Sequence, residues 1–234
     1  MSTPIPTPAH PQKPAWPKTL IALVGCSGSG KSTSLRNFDA ATMRILDVER
    51  KGMPFRVKDP ALVIPIDSYD KFTVEFGKIA SNPAIEVVAI DSITSLLDML
   101  QLKCEKEYTN YDIWKNYNGG IEALCHKLKA CGKTILITGL EEIVRIQGLD
   151  GSETSRRRLY VQGKEWSNKG IESECLAVWS CFAKKDKNAN IEYFFATQTD
   201  GVTTAKSPMF WGLPNPVENC AIKALNKVAI ELAK

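Results

Sequence analysis

From residue 20 to residue 24 the chain is apolar without a break, and it then enters a glycine-rich loop, the pattern of a strand buried on both faces. Residues 43–48, 61–66, 87–90 and 134–138 repeat the pattern and predict further strands. Between them the period changes. Phe72, Phe76 and Ile79 share one helical face within 68–80, while Ile93, Leu96, Leu97, Leu100 and Cys104 share another. Trp114, Tyr117, Ile121, Leu124 and Leu128 make a third, which stops at Gly132, a residue suited to a helix C-cap. A short helix over about 32–38 follows the first strand, and 217–232 closes the chain as a helix. Two apolar and aromatic runs, 175–183 and 191–199, flank Lys184, Lys185, Asp186, Lys187 and Asn188 and predict a β-hairpin. Strand and helix alternation of this kind implies an α/β fold: a mostly parallel sheet, helices on both faces and an antiparallel extension at one edge.

Two stretches break the pattern. Residues 1–17 hold six of the thirteen prolines and few apolar anchors, so they are expected to form a disordered arm, leaving 18–234 as one domain. Residues 140–173 are polar and glycine-containing, carry Arg156, Arg157 and Arg158, and read as loop or hairpin.

At 234 residues and 44% apolar content the chain has material for a single large core. The net charge of +4 is compatible with a polyanionic partner without demanding one. Seven scattered cysteines without a CxxC pair, and only two histidines, His10 and His126, argue against a zinc centre or a disulfide framework and for a reducing cytoplasm. No apolar run reaches membrane-spanning length, and no secretory leader pattern opens the chain, so no membrane partner is expected.

The chemistry begins at Gly25-Cys26-Ser27-Gly28-Ser29-Gly30-Lys31-Ser32, followed by Thr33. It matches GxxxxGK[ST] between an apolar strand and a helix, the setting in which the spacing signifies a phosphate loop. Glycines let backbone N–H groups wrap a polyphosphate, Lys31 adds a positive charge, and Ser32 is a magnesium ligand. ATP and Mg2+ are the expected cofactors. Asp91 ends the strand 87–90, where a carboxylate reaches the same metal; the plainer alternative is a helix N-cap shared with Ser92. Glu49 follows the second strand and is placed to polarise a water against the γ-phosphate, the alternative being one solvated charge of Glu49-Arg50-Lys51.

With these residues in place the chain resembles the RecA/Rad superfamily core, in particular compact phage ATPases of the single-strand-annealing recombinase kind. The residues that carry the likeness are GCSGSGKS, ILDVE, VVAIDSIT, TILITG and TTAKSP, and only the first is specific alone. The resemblance implies a RecA-like fold, a magnesium-dependent and DNA-stimulated ATPase activity, single-stranded DNA as partner, a role in recombination or annealing, and assembly into an oligomer or filament, with a single-strand-binding protein as a further partner. It implies a host-cytoplasmic location for a phage protein. It maps the water-activating glutamate onto Glu49 and a lysine acting on a neighbouring subunit's nucleotide onto Lys206, which otherwise reads as a turn lysine before Pro208. One departure stands out: Gly139-Leu140-Glu141-Glu142 occupies the place of a γ-phosphate sensor. For DNA contact the candidates are Arg156, Arg157 and Arg158, with Tyr160 and Trp166 nearby to stack on bases. A solvated loop is the bland alternative. The competing functions are a P-loop kinase of small molecules, with the arginine run as lid, and a nonhydrolysing nucleotide-dependent scaffold.

Overall fold

The computed structural model describes residues 15–147 and 153–234. Strand β1 (Leu20–Gly25) is buried along its length, and its side chains divide between two cores. Leu20, Ala22 and Val24 face one core, Ile21 and Leu23 the other, as the twofold strand period requires. β2 (Met43–Asp47), β3 (Val63–Pro65), β4 (Val87–Asp91) and β5 (Thr134–Gln147) run parallel to it. β6 (Glu153–Leu159) pairs antiparallel with the outer half of β5. β7 (Ala177–Lys185) returns parallel to β1, and β8 (Ile191–Ala196) and β9 (Val217–Glu218) add antiparallel strands beyond it. The order is β3-β2-β4-β5-β1-β7-β8-β9, with β6 off this path. This is the RecA-like α/β arrangement, mostly parallel with an antiparallel edge extension.

Helices α1 (Tyr69–Ser81), α2 (Ile93–Glu107) and α3 (Tyr111–Ala130) cover one face through Phe72, Phe76, Leu96, Tyr117 and Ile121. Each begins or ends where local chemistry dictates: Ser68 and Ser92 cap the first two by accepting from Lys71 N and Ser95 N, and Gly132 takes a positive φ just beyond the third. A short helix α4 (Lys164–Lys169) sits beside α3. On the other face, α5 (Ala221–Leu232) buries Ala221, Ala224, Leu225 and Val228. Trp179 lies there against Phe195 and Trp211, with ring centroids 5.4 and 6.5 Å away. Burying a side chain of that size contributes roughly 1.5–3 kcal/mol, so the antiparallel extension is core and not an appendage.

Several expectations are refined, and the hairpin reading of 140–173 holds. The helix over 32–38 is a single 3-10 turn, Ser32–Leu35. Asn37 and Asp39 end it, because their side chains bind Cys220 Sγ and Ala41 N in place of helical partners. The closing helix starts at Ala221, and Val217 belongs to β9. The polar stretch 140–173 is largely ordered: its start extends β5, which pairs with β6 as a hairpin, and α4 follows. Within the stretch 1–17 expected to be a disordered arm, Trp16 is buried, packs edge-on against Phe38 at 5.9 Å and donates to Asn226 Oδ1 at 2.8 Å. Residues 1–14 lie outside the described residues.

Candidate functional site

A parallel sheet brings the C-terminal ends of its strands to one edge, and three of them carry the polar residues. β1 leads into the glycine loop, β2 into Glu49, and β4 ends in Asp91. Together they line a cleft of about 480 Å³. It is lined by Ser27, Gly28, Gly30, Lys31, Ser32 and Thr33 from the loop, by Glu49, Lys51, Gly52, Met53 and Pro54 beyond β2, and by Asp91, Leu140 and Tyr193.

Close approach sets the glycines. A β-carbon on Gly25 would lie 2.5 Å from Ser29 Oγ and 2.6 Å from the Cys181 carbonyl. Gly30 has φ +90°, and a β-carbon there would meet the Tyr193 ring at 2.8 Å. Cys26, Ser27 and Gly28 are exposed along the loop, whereas Ser29 is buried. Lys31 Nζ donates to Gly25 O at 2.8 Å and to Cys26 O at 2.7 Å, so its ammonium lies along the loop. Burial lowers its pKa from the ordinary lysine value, partly offset by surrounding groups that include Asp91 and Glu49. Only one 3-10 turn, Ser32–Leu35, follows the loop.

Asp91 is 4% exposed. Burial raises its pKa, against hydrogen bonds from Thr138 and Ser32, while Glu49 and Asp47 raise it further. Ser92 caps α2 by accepting from Ser95 N, and the Asp91 carboxylate, bonded by Thr138 Oγ1, lines the cleft. Glu49 accepts from Ser92 Oγ at 2.9 Å through Oε1 and pairs with Lys51 through Oε2. Burial pushes its pKa up, but the bonds from Lys51 and Ser92 outweigh this and hold it below the ordinary carboxylate value. Its carboxylate is thus held between Ser92 and the exposed Lys51.

Lys206 stands elsewhere. Its backbone pairs with Val178 in both directions at 2.8 Å, outside the cleft. With Arg145, Arg156, Arg158 and Lys169 it lines a second, larger concavity of about 750 Å³ beneath the β5–β6 hairpin. The three arginines lie on a strand, not a loop, and the twofold period splits them. Arg158 donates to Glu142 at 2.8 Å, Arg157 pairs with Glu141 at 3.8 Å and does not line the concavity, and Arg156 is exposed. Trp166 is not available for stacking: it is buried and donates to Asn118 O at 3.2 Å. Tyr160 is half-buried and bonds Leu140 through its backbone. Glu141 and Glu142 answer the arginines, so the segment expected to lack a phosphate sensor contributes only Leu140 to the cleft.

Sequence reading missed Lys51, Thr138 and Tyr193. Lys51 was visible two residues after Glu49; nothing local marks Tyr193, which β8 brings from far along the chain.

A buried strand, a glycine loop ending in Lys-Ser and a carboxylate at the end of a neighbouring parallel strand define a P-loop nucleotide-binding domain. Residues 18–209 match a family described as an AAA domain, of the AAA_24 type. The chain belongs to that family, and with it to the P-loop ATPases. No curated protein matches the chain. Among solved structures it is similar to a KaiC-like protein from the hyperthermophilic archaeon Pyrococcus horikoshii OT3, at 13% identity and TM-score 0.46, over 82% of this chain and 84% of that one. It is also similar to the flagellar accessory protein FlaH of Methanocaldococcus jannaschii, at 12% identity and TM-score 0.39, over 78% of each. No helix among the described residues is long and apolar enough to cross a membrane.

Proposed function

We propose that this chain is a magnesium-dependent ATPase acting on single-stranded DNA in recombination or annealing. The observation that carries the first half is the convergence of Lys31, Ser32, Glu49 and Asp91 on one cleft from three parallel strands. The loop from Gly25 to Thr33 holds the β- and γ-phosphates through its amides and Lys31. Ser32 and Asp91 fit magnesium: a hydroxyl and a carboxylate offer two oxygen ligands, and triphosphate oxygens and water complete such a site. No cluster of three or more His, Cys, Asp or Glu occurs among the described residues, which matches a cation that arrives with its nucleotide. When bound, magnesium neutralises charge on the phosphates. Glu49, held by Ser92, orients a water and accepts its proton. No arginine lines the cleft among the described residues, which disfavours a small-molecule kinase with an arginine lid.

Asp91→Asn gives a two-sided test. The buried carboxylate is costly in the ligand-free protein and useful only with a cation. The variant is expected to melt higher than the parent without ligand and to lose magnesium-dependent nucleotide binding; a lower midpoint with magnesium dependence intact would remove Asp91 from the metal site.

Support for the second half comes from the concavity under the hairpin. Among the described residues Arg145, Arg156 and Lys206 make no ion pair, so they offer free cations to phosphates. Asn168 lines this concavity and also an adjoining aromatic one with Tyr111 and Trp114, which are 79% and 41% exposed. Bases stack there rather than on Trp166. Replacing Arg156 and Lys206 by alanine is expected to lower the salt slope of single-strand binding by ~0.7 per lost phosphate contact. Trp114→Ala should weaken binding by ~1–3 kcal/mol with the slope unchanged. Arg157→Ala, outside the concavity, serves as the control; an effect as large as that of Arg156 would reject the assignment. Phosphate release from ATP with and without single-stranded DNA tests the whole reading. A catalytic part for Lys206 needs an assembly in which it meets another copy's cleft, and sedimentation with ATP and DNA tests for one.

A further inference from the structure

Asn219 is 1% exposed, and both its Nδ2 and its Oδ1 are buried without a hydrogen-bond partner. Buried carboxamides left unpaired at both ends are rare in folded proteins and call for a reason. The position supplies one: a β-carbon on Gly30 of the phosphate loop would stand 3.4 Å from Nδ2. Ser29 Oγ, in the residue before Gly30, is also buried without a hydrogen-bond partner. Ser29 Oγ faces the Gly25 side of the loop and Asn219 Nδ2 the Gly30 side, while Lys31 Nζ is spent on loop carbonyls.

The backbone of Asn219 is, by contrast, firmly placed. Its N–H donates to Tyr193 O at 3.0 Å, and its carbonyl accepts from Arg36 Nη1 at 2.7 Å. The same Arg36 nitrogen donates to Thr33 O at 2.9 Å, which ties β9 to the turn following Lys31. Gly30 is therefore flanked by the Tyr193 ring and an Asn219 amide anchored on both sides, with hydrogen-bonding capacity that the loop does not use in this arrangement.

We propose that Asn219 is a positioning residue for nucleotide binding: its carboxamide takes up backbone groups of the Ser29–Gly30 turn when the loop closes on a polyphosphate and Lys31 leaves its carbonyls. This rests on the reading of the cleft as an ATP site. The unpaired amide costs stability in the ligand-free protein and returns it in the bound one, so the two states respond to its removal with opposite sign.

Asn219→Leu, of similar volume and without polar atoms, is the test, with Asn219→Ala as a second variant should leucine not be accommodated. Thermal melting without ligand and calorimetric titration with Mg·ATP are run on each, beside wild type and Lys31→Ala. The expected result is a ligand-free midpoint at or above wild type, with ATP affinity weakened roughly three- to tenfold. Unchanged affinity overturns the inference, and so does a parallel fall in ligand-free midpoint and affinity, which a packing role alone would produce. If wild type itself binds no ATP, the cleft reading fails. If wild type binds and Asn219→Leu binds equally well, only the role of Asn219 fails.

Discussion

Lys31→Ala is expected to remove ATP binding while leaving the fold intact. The ammonium is the one side-chain cation on the loop wall of the cleft, and charge-assisted contacts to phosphate oxygens are about twice as strong as neutral hydrogen bonds. Losing them should weaken Mg·ATP binding by at least about a hundredfold, or ~3 kcal/mol. In the ligand-free protein the effect is small because two terms oppose. The bonds to Gly25 O and Cys26 O disappear, each worth about 1 kcal/mol, but so does a charge whose burial is unfavourable. Calorimetry and melting, run together, separate the effects, and wild-type affinity in the alanine variant would end the phosphate-loop reading.

The second large effect belongs to Glu49. Glu49→Gln keeps the shape and the acceptor for Ser92 Oγ but abolishes the ability to take a proton from water. Phosphate release is expected to fall by about 10²–10⁴ with ATP affinity nearly unchanged. Single-turnover measurement distinguishes this from slower product release. If the glutamine variant hydrolyses ATP at the parental rate, Glu49 is not the base, and its bonds to Ser92 and Lys51 are structural only.

The resemblance to annealing recombinases stands in a different position from these two predictions. Membership in the AAA domain family concerns the ATPase core over residues 18–209. The proposed contact with DNA depends on how charges are grouped on the surface. In sequence, Arg156, Arg157 and Arg158 formed one basic cluster; on β6 they point alternately, and glutamates on β5 pair with two of them. What replaces the cluster is a groove drawn from β5, β6, α4 and the segment around Lys206. Its aromatic neighbours, Tyr111 and Trp114, come from α3 and not from the residues beside the arginines.

Much of the fold was legible because its signals are local. A strand buried on both faces needs consecutive apolar residues, a helix on a sheet needs a 3.6-residue stripe, and a phosphate loop needs glycines at fixed offsets. β1, β4, α1, α2, α3 and the loop from Gly25 to Ser32 all announce themselves in this way. Where local signals conflict, the outcome waited on the third dimension. The turn after Lys31 carries helix-compatible residues, yet beyond it Asn37 reaches across to Cys220 Sγ while Asp39 makes a local turn with Ala41 N. β5 continues past Thr138 into polar residues because β6 returns to pair with it.

The sequence by itself determined the class of protein, a P-loop ATPase, through the phosphate-loop spacing between an apolar strand and the segment that follows, and it put forward Asp91 and Glu49 as candidates from their places at strand ends. Tertiary structure decided which other groups join them. Thr138 against Asp91, Lys51 on Glu49, and Tyr193 with Asn219 behind Gly30 come together through sheet order. The physical reason is that a hydrogen bond or ring contact acts only over a few ångströms, and separation along a chain carries no information about which distant strands the core will pack side by side.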